Sequence, residues 1–199
     1  DDIETYTIPM ERVKKAMEQA DVLYICNPNN PTGVLTKKAE IKELLQHGQQ
    51  VGCAIVVDEA FIDWTDEAES VVPLVSTYAN LIVLRSMTKM YAIAGVRLGY
   101  VIGQKAGELV RYLPHWNVGG IAIEVGCLCL QETGFVKASR QASATLREQM
   151  MCDLQRIGYA VSNSAANFLL FQPPAHVDTE HFFEAMLQRG IVLRNTKNY

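Results

Sequence analysis

The run Ser86-Met87-Thr88-Lys89 sets a primary amine beside two hydroxyls, and Arg97 follows eight residues after the lysine. A lysine amine can condense with an aldehyde, and a guanidinium fork can hold a phosphate monoester through two parallel hydrogen bonds. Pyridoxal 5′-phosphate (PLP) is the ligand that calls for both groups at once. Two further clusters lie upstream. Asn27-Pro28-Asn29-Asn30-Pro31-Thr32-Gly33 is a turn rich in asparagine and proline, in which Asn30-Pro31 is a candidate for a cis bond. Ala54-Ile55-Val56-Val57-Asp58 is an apolar, β-branched run that ends on a carboxylate. In open α/β sheets ligands bind beyond the carboxyl ends of the strands, so a polar group after each of three apolar runs points to a ligand at that edge.

In this order the motifs resemble those of the fold type I PLP enzymes of the class I/II aminotransferase family: an N-P-T-G turn, an Asp ending an apolar strand, S-x-x-K, and an Arg eight residues on. The finer wording of Asp58-Glu59-Ala60-Phe61-Ile62-Asp63-Trp64, of Thr88-Lys89-Met90-Tyr91-Ala92-Ile93-Ala94-Gly95 and of Gly190-Ile191-Val192-Leu193-Arg194 is similar to the threonine-phosphate decarboxylase and histidinol-phosphate aminotransferase branch. The resemblance runs essentially end to end. It implies PLP as cofactor, a small and phosphorylated amino acid as substrate, and a homodimer at full length. It gives Lys89 the Schiff-base role and the task of moving the Cα proton. Asp58 becomes the partner of the ring nitrogen, which a buried carboxylate keeps protonated. Asn30 meets the phenolic oxygen, Ser86, Thr88 and Arg97 take the phosphate, and Arg194 and Asn167 face the substrate.

The chain departs from the commoner family pattern twice. Phe61 stands where most aminotransferases carry a tyrosine, a swap usual in the decarboxylase-like branch. In Trp116-Asn117-Val118-Gly119-Gly120, Gly119 replaces a frequent asparagine. Phe61 tilts the expectation toward threonine-phosphate decarboxylation, with histidinol-phosphate-type amino transfer as the rival. A PLP-binding effector domain of a transcription regulator and a non-catalytic remnant of the fold remain as further alternatives.

The elements that must position these groups follow from periodicity. Val13, Ala16, Met17 and Ala20 recur at helical spacing after Pro9. Residues 22–26, 54–58 and 81–84 are short apolar runs without polar alternation, which predicts strands covered on both faces in a mostly parallel sheet, with 98–102 as a further strand. Between the first two, Thr36 is the expected N-cap of a helix carrying Ile41, Leu44 and Leu45, and Gly48 its expected stop. Residues 121–130 read as a buried helix, and Phe135, Ala138, Ala142, Leu146, Met150, Leu154 and Ile157 mark a long helix ending at Gly158. A strand over 167–171 and a helix over 179–189, closed by Gly190, complete the reading. Alternating strands and helices predict an α/β three-layer sandwich. A large PLP-binding domain over 1–133 and part of a small α+β domain over 134–199 are expected.

At 199 residues and 49% hydrophobic the chain can bury a substantial core. Its net charge of −4, with both signs interspersed, lacks the electrostatic footprint of a nucleic-acid or anionic-membrane binder. No apolar run approaches membrane-spanning length. Five cysteines without paired spacing suggest reduced thiols and a cytoplasmic setting. Cys127 and Cys129 are two apart on an expected helix, and His176 and His181 lack a partner in ligand register, so no metal site is expected. The N-P-T-G turn arrives by residue 33 where relatives carry a long segment ahead of it, so the sequence reads as an internal fragment of a longer polypeptide.

Overall fold

The structure, a computed structural model, describes residues 6–196. A four-stranded sheet in the order β1-β2-β3-β4 organises the N-terminal half. Strands β1 (Val22–Cys26), β2 (Ala54–Asp58) and β3 (Leu81–Ser86) run parallel, and β4 (Gly99–Ile102) closes the edge antiparallel to β3. The three apolar runs are therefore strands as their β-branched composition requires, and the α/β class with a mostly parallel sheet is established.

Helix α1 (Met10–Met17) and helix α2 (Lys38–Val51) lie against one sheet face. There Met17, Ile41, Leu44 and Leu45 interlock with Ile25, Ile55, Val57, Leu81 and Val83, all buried. Each fully buried aliphatic side chain contributes about 1.5–3 kcal/mol, so this layer fixes the strand register. The opposite face is not sealed to the same degree. Tyr24 is 56% exposed, and Cys26, Val56, Ile82 and Leu84 are only partly buried. The expectation of strands covered on both faces therefore fails for this face within the described residues. An unbroken apolar run does not say which elements cover it.

The boundaries of α2 also differ from the expectation. Thr36 does not cap it; its backbone N–H donates to Asn27 Oδ1 (2.8 Å) and its carbonyl accepts from Asn27 Nδ2 (3.0 Å). Lys37 is the cap residue, and the Glu40 carboxylate reaches back to its N–H (2.9 Å). Gly48 does not end the helix. A side chain there would meet the Cys53 carbonyl at 2.7 Å, so that glycine serves close packing, and the stop is Gly52 at φ +79°.

Helix α3 (Gly120–Cys129) and helix α4 (Thr133–Arg156) form where periodicity places them, α4 ending before Gly158 at φ +88°. The expected burial of α3 is overturned. Ile121 is 79% exposed and Leu128 62%, and only Ala122 and Gly126 are buried. A helix apolar on every side needs cover on every side, and the described chain supplies it on one. The strand expected over 167–171 shrinks to β6 (Phe171–Gln172), paired antiparallel with β5 (Ala160–Val161). Asn167 to Leu170 form instead a loop tied down by Ser162 and Ser164. Helix α5 (Thr179–Gln188), capped by the Asp178 carboxylate on the His181 N–H (2.8 Å), ends the ordered elements before Gly190 at φ +76°. Among the described residues no helix is long and apolar enough to cross a membrane, no cluster suits a metal ion, and all five cysteines are free.

Candidate active site

Beyond the carboxyl ends of the parallel strands the ladder is extended by loop backbone. The Asn27 N–H donates to the Asp58 carbonyl (2.8 Å), and the Glu59 N–H to the Leu84 carbonyl (2.8 Å). These bonds tie the first residue after β1 to the end of β2 and the first residue after β2 to β3, so the loops leave from adjacent strand ends.

On the first loop, Asn27 is fully buried and clamps both sides of the Thr36 peptide, while Asn29 Nδ2 donates to Thr32 Oγ1 (2.9 Å). These bonds hold the turn in shape and leave Asn30 exposed at its tip. The Asn30-Pro31 bond is cis, as is Asn27-Pro28. Gly33 has φ +72°, and a methyl there would land on the Ser164 hydroxyl. The turn docks against the loop between β5 and β6 through that approach. The bond from the Ala165 N–H to the Gly33 carbonyl (2.8 Å) and the Ser162 hydroxyl on the Thr32 carbonyl (2.6 Å) secure it.

At the end of β2, the Asp58 carboxylate is held at both oxygens. Oδ1 accepts the Ala60 N–H (3.0 Å), and Oδ2 accepts the Tyr24 phenol (2.6 Å). The parallel register aligns Cys26 with Asp58 and Tyr24 with Val56, so all four share the half-open face of the sheet. Partial burial, then the bond to Asp58 and its negative charge, push the Tyr24 phenol well up, so it remains a donor. Burial likewise pushes the neighbouring Cys26 thiol up and keeps it protonated.

After β3, the hydroxyls of Ser86 and Thr88 meet at 2.8 Å, the Thr88 N–H points to Ser86 Oγ (3.3 Å), and Lys89 Nζ donates to the same oxygen (3.3 Å). Lys89 is exposed, and its ammonium lies 5.8 Å from the centroid of the Phe61 ring. Phe61 packs edge-on against Phe168 with centroids 4.9 Å apart, which brings the loop bearing Asn167 to the border of the same site. Arg147 of α4 fastens that loop through the Ala165 and Ala166 carbonyls (3.3 and 3.1 Å). Arg97 directly follows this pairing in the chain: Ser86 faces Gly99, and the Met87 N–H donates to the Leu98 carbonyl. It sits at φ +57°, uncommon for a residue with a side chain, and its guanidinium bonds the Ala94 carbonyl (3.0 Å) of its own turn. Arg194 stands apart from these loops in sequence, exposed in the segment after α5.

Sequence reasoning missed a buried ionic network behind the site. Glu59, next to Asp58, is wholly buried and accepts from the Val71 N–H (2.6 Å), the Ser70 hydroxyl (2.8 Å) and Arg85 (2.9 Å). Arg85, next to Ser86, also pairs with Asp63, whose backbone carbonyl accepts from Arg140 of α4 (2.9 Å). Burial pushes the Asp63 carboxyl up, against the pull of Arg85. The signal for this network was present as charged residues inside apolar segments, since Asp, Glu and Arg are almost never fully buried unless paired. The other omission was Tyr24, which reads simply as an apolar strand residue.

An amine, two hydroxyls and a loop N–H at one strand end, and an oriented carboxylate at the next, suit a phosphate-bearing aldehyde with a basic ring nitrogen. The chain belongs to the aminotransferase class I and II family, which it matches over residues 1–198; the family is PLP-dependent, and the residues here fit that cofactor. The chain is 30% identical over 201 residues to a protein of Caldanaerobacter subterraneus subsp. tengcongensis named as a threonine-phosphate decarboxylase, covering 98% of this chain and 54% of the relative. It is 33% identical to the histidinol-phosphate aminotransferase of Ruminiclostridium cellulolyticum over 183 residues, 89% of this chain and 49% of that one. The crystal structure of the histidinol-phosphate aminotransferase from Clostridium acetobutylicum superposes with a TM-score of 0.91 at 29% identity, over 96% of this chain and 59% of that chain. The chain spans about half the length of the curated relatives it matches.

Proposed function

We propose that this chain forms the cofactor-binding part of a PLP-dependent enzyme acting on a small phosphorylated amino acid, most closely a threonine-phosphate decarboxylase. The observation that carries this reading is the convergence of Asp58, Ser86, Thr88 and Lys89 at the carboxyl ends of adjacent parallel strands, with Lys89 already within reach of Ser86. PLP, when bound, supplies an electron sink that stabilises charge developing at the substrate Cα. Lys89 holds the cofactor through its amine and then carries a proton at Nζ. Asp58 keeps the ring nitrogen protonated, Asn30 donates to the phenolic oxygen, and Ser86, Thr88 and Arg97 bind the phosphate. Arg194 and Asn167 hold the substrate, the former through a guanidinium fork that suits a phosphate.

Phe61 supports decarboxylation over amino transfer, because phenylalanine is usual at this position in the decarboxylase-like branch that its motif resembles. The likeness to histidinol-phosphate aminotransferases, at 33% identity in sequence and a TM-score of 0.91 in fold, favours amino transfer as the second reading. The test is to incubate the protein at its full natural length with threonine phosphate and, separately, with histidinol phosphate plus 2-oxoglutarate. Carbon dioxide release without glutamate is expected. Glutamate formation from histidinol phosphate supports the second reading, and neither product refutes both.

Three further proposals accompany this one. A large domain ends and a small one begins near residue 133, where α4 starts. The exposed apolar side chains of α3 pack in a homodimer. The free thiols suit a reducing cytoplasm.

A further inference from the structure

The hydrogen bond from Tyr24 to Asp58 is unused by the roles given above, and the following inference rests on the reading that the site holds PLP. We propose that Tyr24 is a positioning residue for the ring-nitrogen contact: its phenol fixes the plane of the Asp58 carboxylate so that the remaining acceptor directions face the pocket. The Ala60 N–H anchors Oδ1 from only two residues away, a local turn that leaves the group free to swing about that one bond. Tyr24 anchors Oδ2 from a different strand, 2.6 Å away and 34 residues distant in sequence. Two anchors on two oxygens define a plane; one does not. Each carboxylate oxygen has two lone pairs, so each keeps one for a ring N–H.

The alternative is that Tyr24 is an edge-strand aromatic whose bond is incidental. The two are separable because Tyr24 is 56% exposed on the face away from the main core, so Tyr24→Phe removes one oxygen without disturbing packing. The variant is made in the protein at its full natural length, and dissociation constants are measured by absorbance titration for PLP and for its 1-deaza analogue, in which a C–H replaces the ring nitrogen. The analogue cannot engage Asp58 as a pyridinium does, so it reports everything about the site except this contact. Tyr24→Phe is expected to weaken PLP by on the order of tenfold, the scale of one hydrogen bond to a charged group, and to change the analogue by less than about twofold. An equal loss on both compounds makes the role structural and overturns the proposal, as does an unchanged PLP constant. A wild-type protein that binds no PLP refutes the underlying cofactor reading and this inference with it, an outcome distinct from the other two.

Discussion

Lys89 is exposed, yet its ammonium is not loose: Ser86 Oγ and the Phe61 ring bracket it. An amine held this way keeps a restricted set of rotamers, which lowers the entropy lost when it condenses with an aldehyde. Borohydride treatment of the PLP-loaded full-length protein should therefore leave a pyridoxyl mass on the peptide containing Lys89. A label on any other lysine contradicts the assignment. Lys89→Arg keeps the positive charge but cannot condense with the aldehyde, and activity should fall on the order of 1000-fold. Arg194 lies exposed in the segment after α5, where the proposed role is to hold the substrate's phosphate. If Arg194→Ala leaves turnover of both phosphorylated substrates unchanged, that role is wrong. That Lys89, Asp58 and the Ser86–Thr88 pair gather at neighbouring strand ends was legible, because each follows an apolar run in the sequence. Tyr24 was not, because nothing local says that residue 24 will lie one strand over from residue 58.

At the scale of elements, the loops matter more than the strands they follow. Gly33 and Gly52 both sit at positive φ, but only Gly33 has a neighbour in the space a methyl would fill. Gly52→Ala should cost about 1 kcal/mol from left-handed strain alone. Gly33→Ala carries the same strain plus overpacking against Ser164, about 2–4 kcal/mol together. Because Ser164 Oγ donates to the Phe168 carbonyl (2.6 Å), the displacement should also loosen Phe168 from Phe61. Denaturant midpoints at constant slope measure both variants, and equal losses would show that the Ser164 contact is not the cause. Except for the strand expected over 167–171, strand and helix identities were readable from hydrophobic runs of the right length and from period. Helix ends were less so: Gly48 looks like a stop until Cys53 and Asn80 are seen pressing on it.

For the whole molecule, the exposed apolar surface is the dominant fact. Trp116 is 97% exposed, Ile121 79%, and Leu146 and Met150 of α4 and Ile157 just after it stand in the open. So much unburied apolar surface is uncommon on a stable monomer and marks regions that pack against something else. Residues 1–199 expressed alone should self-associate, bind a hydrophobic dye and show no turnover. A dye-silent monomer with measurable activity would contradict this. In the full-length protein the same side chains should be protected, and Ile121→Glu should shift it toward monomer in sedimentation.

Residue chemistry, element type and family membership were written in the chain, because a lysine–phosphate cofactor, a β-branched run and a helical period are each properties of neighbours in sequence. The half-open sheet face, the exposed flank of α3, the Glu59–Arg85–Asp63 network and the Tyr24–Asp58 bond depend on which distant segments meet. Strand pairing selects those meetings. Pairing is settled by the burial of a whole layer of side chains at once, a collective free energy that no local stretch of residues contains.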